Sequence, residues 1–101
     1  MSSNVFVKSG RVSDLLTTAT TATGDWKFKD APKAAIQVVA TAAATVVFEV
    51  SNDGTNAIAT TLGTVTLAAA GSDGFTTDAP WKYIRARVTA NSGTVTVTMS
   101  V

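Results

Sequence analysis

Apolar and polar side chains alternate with a period of two along most of this chain. The clearest run is Thr45-Val46-Val47-Phe48-Glu49-Val50-Ser51. Val46, Phe48 and Val50 fall on one side of it, and Thr45, Val47, Glu49 and Ser51 on the other, as a half-buried strand requires. Asn52-Asp53-Gly54 follows, three residues that tolerate positive φ and end the strand in a turn. Ala35-Ile36-Gln37-Val38-Val39-Ala40 reads as the strand before it, and Thr41-Ala42-Ala43-Ala44 is too short for a stable helix and reads as a tight link. In 81–89, Ile84, Ala86 and Val88 form an apolar face opposite Tyr83, Arg85, Arg87 and Thr89. In 94–101, Val95, Val97, Met99 and Val101 face inward.

Shorter stretches fill the intervals. Val5-Phe6-Val7-Lys8 is a short strand after a loose arm, Met1-Ser2-Ser3-Asn4. Residues 11–23 read as extended, and Gly24-Asp25 as a turn. Trp26-Lys27-Phe28-Lys29 predicts a strand with both aromatics inward and both lysines outward. Leu62-Gly63-Thr64-Val65-Thr66-Leu67 is another strand, and Ala68-Ala69-Ala70-Gly71-Ser72-Asp73-Gly74 a small-residue loop, after which Phe75 anchors the chain. Pro32 and Pro80 break strands, since neither can donate to a ladder. Turn signals recurring every ~8–12 residues predict an all-β, single-domain antiparallel β-sandwich or jelly roll over 1–101.

Composition sharpens this. Val and Thr are abundant and glutamate occurs once, at Glu49, so helix builders are scarce. At 101 residues there is room for one core. A net charge of +1 gives no field for nucleic acid or anionic lipid. No apolar run approaches the ~18 residues of a membrane helix, and the N-terminus lacks a signal-peptide pattern. The expectation is a product made in the cytoplasm, with neither nucleic acid nor membrane as partner.

The chemistry available is narrow. With no cysteine and no histidine, the chain has no disulfide, no thiolate metal site, and neither the usual nucleophile nor the usual general base. Most acids, including Asp53 and Asp73, sit at predicted turns, where Asp binds backbone amides. Glu49 lies mid-strand and reads as a cross-strand ion pair with Arg85 or Arg87. Asn52-Asp53-Gly54 and Ser72-Asp73-Gly74 lack the twelve-residue calcium-loop pattern, although jelly-roll loops can bind calcium without it. No catalytic residue, cofactor or metal site is assigned. Tyr83, Arg85 and Arg87, with Trp81 at their edge, form either a recognition surface or a solvated face balanced by Glu49. Ala42-Ala43-Ala44 and Ala68-Ala69-Ala70 permit close approach of a partner.

The segments Phe48-Glu49-Val50-Ser51-Asn52-Asp53-Gly54-Thr55-Asn56, 62–67, Ala79-Pro80-Trp81-Lys82-Tyr83-Ile84-Arg85-Ala86-Arg87-Val88 and Gly93-Thr94-Val95-Thr96-Val97-Thr98-Met99 resemble those of small bacteriophage virion proteins. The likeness spans the second half of the chain; Leu15-Leu16 and Gly24-Asp25-Trp26 extend it loosely into the first. It implies a non-enzymatic virion module: a capsid decoration (cement) protein, a head fibre, or a neck or tail accessory. Cement is the leading expectation. The implied partners are the major capsid protein or other virion proteins and further copies of the chain, through Trp81, Tyr83, Arg85, Arg87, 42–44 and 68–70. The alternative is a glycan-binding module of a tail or host-recognition device, using Trp81, Tyr83 and Arg85.

Overall fold

The computed structural model describes residues 12–29 and 31–101, and those residues form nine strands. In chain order they are β1 (Val12–Thr18), β2 (Ala22–Thr23), β3 (Lys27–Phe28), β4 (Ala34–Ala40), β5 (Ala44–Ser51), β6 (Gly63–Leu67), β7 (Gly71–Thr77), β8 (Tyr83–Asn91) and β9 (Val95–Ser100). The expected arm at 1–4 and strand at 5–8 lie outside the described residues.

Two antiparallel sheets result. One has the order β1-β9-β4-β7; the other has β2-β8-β5-β6, with β3 also paired to β8. If β2 and β3 are counted as one interrupted edge strand, the eight strands run 1-8-3-6 in one sheet and 2-7-4-5 in the other. This is the double Greek-key order of a jelly roll.

The alternation read from the sequence creates the core. Val46, Phe48 and Val50 of β5, and Ile84, Ala86 and Val88 of β8, point toward Ile36 and Val38 of β4 and Val95, Val97 and Met99 of β9. Phe48 is wholly buried, and Phe75 of β7 meets it edge-on across the sandwich at 5.2 Å between ring centroids. Burying a side chain of this size contributes about 1.5–3 kcal/mol, and the edge-on pair about 0.5–1.5 kcal/mol more.

Two local expectations are corrected. Trp26 and Phe28 are not inward: Phe28 is 55% exposed, Trp26 is half-buried, and it is Lys29 that is buried. A two-residue strand takes its phase from its partner. Phe28 is opposite Tyr83, and Tyr83 lies on the outer face because Ile84 takes the inner one. Likewise, Gly71, Ser72, Asp73 and Gly74 are not loop but the first half of β7, paired along β4 from Ala40↔Gly71 to Gln37↔Gly74. The loop is reduced to 68–70. A Cβ on Gly74 would overlap the Ile36 carbonyl oxygen, so the missing side chain is what lets β7 lie this close to β4.

Candidate interaction face

The outer face of the β8 sheet is built by register. Glu49 of β5 stands directly opposite Arg85, and Val47 opposite Arg87. The Arg85 Nε donates to Glu49 Oε1 at 2.7 Å, and the Arg87 Nε donates diagonally to Glu49 Oε2 at 3.3 Å. The expected cross-strand pair is therefore formed twice on one carboxylate, whose side chain is 14% exposed.

The segment between β2 and β4 covers one edge of this face. The Gly24 amide donates to the Ala86 carbonyl, and the Lys29 amide to the Lys82 carbonyl. Between these anchors Trp26 places its ring 4.4 Å from the Arg85 guanidinium carbon. Such a stack contributes about 0.5–1 kcal/mol where partly exposed. Phe28 meets Tyr83 edge-on at 5.6 Å. Tyr83 also lies against the turn after β5, where Gly54 has φ +69° and a Cβ would meet the Tyr83 ring at 3.3 Å. Ser51 is buried beneath that turn and accepts from the Asp53 and Gly54 amides.

Asp53 is committed to the same turn. Its carboxylate accepts from the Asn56 amide, the Asn56 side chain, the Ser51 hydroxyl and the Thr55 amide, and these bonds hold it well below its ordinary value of 3.8. Asp73 belongs to β7 and accepts from the Gly74 amide. Among the described residues no three His, Cys, Asp or Glu side chains gather as a metal-holding group.

Of the residues singled out from sequence, Tyr83, Arg85 and Arg87 share this face. Trp81 does not join them. It precedes β8, packs against the core, and lines a separate cleft with Phe28, Lys29, Pro32, Pro80 and Lys82. Ala44 is withdrawn from the candidate surface, because it begins β5 and is buried in the core. Ala42 and Ala43 are half-buried and Ala68, Ala69 and Ala70 exposed. These loops lie together at one end of the sandwich, since Ala40 pairs with Gly71 and Val95, and Ala44 with Leu67 and Asn91. Sequence reading placed Trp26 and Phe28 in the core; they complete the outer face instead. The signal that could have found them is the parity of Tyr83, which a strand paired to β8 must share.

No protein-family model matches the chain, and no curated protein matches it significantly. Solved structures do share its fold. The SPBc2 prophage-derived protein YomS superposes with a TM-score of 0.71 at 10% identity, over 88% of each chain. The PBSX exported protein XepA gives 0.60 at 18% identity, over 91% of this chain and 37% of XepA, so this chain spans little more than a third of that protein. The K1 cleaved adhesin domain of Lys-gingipain from Porphyromonas gingivalis W83 gives 0.51 at 17% identity, over 88% of this chain and 69% of the other.

Proposed function

We propose that this chain is a non-enzymatic structural protein of a phage particle, and that it acts as a capsid decoration protein that stabilises the shell by protein–protein contacts. The observation that carries this reading is the jelly roll held in common, over nearly the whole chain, with a prophage-derived protein. The outer face agrees with it. The Glu49 carboxylate on that face is paired with two arginines, and the chain has no histidine or cysteine to serve as base or nucleophile. The face instead presents aromatic and arginine side chains, the types enriched where proteins meet. The exposed alanine loops at 68–70 give a second surface on which a neighbour's backbone can approach closely. A stable contact of this kind buries at least ~1,000 Å².

Co-sedimentation with capsids stripped of accessory proteins tests the reading. The purified protein pellets with the capsids and raises their melting temperature, because a ligand of the assembled shell stabilises it. Phe28→Ser and Ala69→Arg, both at exposed positions, separate the two surfaces: the one that faces the capsid loses binding while the domain stays folded. Protein that leaves capsids unbound and unstabilised, while host-surface polysaccharide retains it, sinks the cement reading in favour of a glycan-binding accessory.

A further inference from the structure

The cleft beside the outer face shares Phe28 with it and adds residues that the capsid reading does not use. It has a volume of about 290 Å³ and is lined by Phe28, Trp81, Pro32 and Pro80, with Lys29 and Lys82 as its charged members. Lys29 is 3% exposed. Its ammonium donates to the carbonyl oxygens of Ala31 and Pro32, both at 2.8 Å. These two bonds pin the turn before β4 and leave the third N–H of the ammonium without a protein partner among the described residues. No carboxylate of the described residues lies within ion-pair distance of it, and Asp78 acts on it from farther away. A buried cation without an opposite charge is unfavourable. Burial and the neighbouring Lys82 charge accordingly lower the Lys29 ammonium from its ordinary value.

We propose that this cleft binds a carboxylate-bearing sugar residue, a uronic or sialic acid unit of a surface polysaccharide, with the acid group on Lys29 and Lys82 and the ring face against Trp81 and Phe28. The volume is just below the ~300–1,000 Å³ of ordinary ligand clefts, so it admits one ring and not a larger molecule. The aromatic lining residues Trp81 and Phe28 offer apolar surface to the C–H face of a pyranose, and the polar part of the lining suits its hydroxyls. A charged side chain from a peptide would meet Lys29 but leave that apolar surface uncovered, and inorganic phosphate has no apolar part at all. The cleft shares Phe28 with the outer face but lies at the opposite end of the sandwich from the alanine loops, so Ala69→Arg leaves it untouched and keeps sugar binding whether or not that variant binds capsids.

Titration of the ¹⁵N-labelled protein with sodium glucuronate, methyl glucoside, inorganic phosphate and N-acetylglutamate amide, followed by NMR, tests the assignment. Glucuronate saturably shifts the Trp81 indole N–H and the Lys29 and Lys82 amides. Methyl glucoside binds at least about tenfold more weakly, a difference of ~1.4 kcal/mol, because it lacks the acid. Lys82→Gln, at an exposed position, weakens glucuronate several-fold without changing the fold, so the result does not depend on whether Lys29→Gln folds. Phosphate or N-acetylglutamate amide binding as tightly as glucuronate marks a general anion site or a peptide site and overturns the proposal. So does a folded protein whose cleft signals do not move, which leaves Lys29 as the pin of the turn before β4 and nothing more.

Discussion

The ring of Trp26 lies 4.4 Å from the guanidinium carbon of Arg85, although fifty-eight residues separate them in sequence. Arg85 is thereby fixed from two sides, by the indole and by the Glu49 carboxylate at 2.7 Å. A side chain with about 2 kcal/mol of rotamer entropy is held in one place by contacts within the domain.

Glu49 is the hinge of that arrangement, and a double-mutant cycle measures it. Glu49→Ala leaves Arg85 and Arg87 side by side without their shared counter-charge. The expected loss is about 1–2 kcal/mol, between the values for exposed and buried pairs. The Glu49→Ala/Arg85→Ala cycle should return a coupling of about 1 kcal/mol, larger than that for Glu49→Ala/Arg87→Ala, because the Arg87 bond is longer and more exposed. Denaturant midpoints supply all the terms. Equal couplings would mean that the register opposite Glu49 is wrong.

Gly74 and Gly71 occupy the same edge strand but differ in what surrounds them. Gly74→Ala forces a methyl group into the Ile36 carbonyl and should cost about 1–3 kcal/mol through strain. Gly71→Ala meets its nearest atom at 4.0 Å and should be close to neutral. Hydrogen exchange of the Ile36 to Ala40 amides should quicken in the first variant and not in the second, since β7 is what covers that side of β4.

Phe48→Ala removes a wholly buried ring that also meets Phe75, and should cost about 3–5 kcal/mol. Thr96→Ala, on the outward side of β9, should stay within about 1 kcal/mol. Chemical denaturation of the two variants compares the faces directly. Similar losses would show that the outer face of β9 is packed as tightly as the inner one.

The pH profile should have two separable limbs. The folded Asp53 carboxyl lies below its unfolded value of 3.8. Its stabilising contribution is therefore complete above that value and fades as pH falls through the folded one. The stability gap between the wild type and Asp53→Asn should close on acidification. Lys29 works at the other limb. Its folded value lies below 10.5, so between the two values the unfolded chain binds more protons and stability rises with pH. Relative to Lys29→Met, the wild type should gain stability as the medium approaches pH 10.5. Melting curves of the three proteins across pH check both signs, and a Lys29→Met gap independent of pH would mean that its ammonium is as well solvated folded as unfolded.

The long strands were legible because their own side chains fix their phase. In β5, β8 and β9 several alternating apolar residues must all go inward together, so the faces carrying Phe48, Ile84 and Val97 admit one assignment. The Glu49 pairing with Arg85 and Arg87 followed from the same parity. What escaped was structure whose cause lies in another strand. Gly71 to Gly74 has the composition of a loop and is extended because β4 offers a free edge. Phe28 has the look of a core residue and is turned outward by Tyr83. Trp81 has the parity of Tyr83, but the chain bends at Trp81 and Lys82 before β8 begins, and parity does not carry across a bend.

The order β1-β9-β4-β7 also sets a timetable for synthesis. Among the described residues the first strand pairs only with β9: Val12 with Ser100, and Thr18 with Val95. β9 is also the inner strand on which β4 depends. Until it emerges, β1 has no partner among the described strands and one side of β4 is bare, whereas β5 and β6, consecutive strands, can pair at once. Those edges stay open to neighbouring chains until β9 has emerged. The interval during which β1 and β4 wait for β9 is set by the speed of translation.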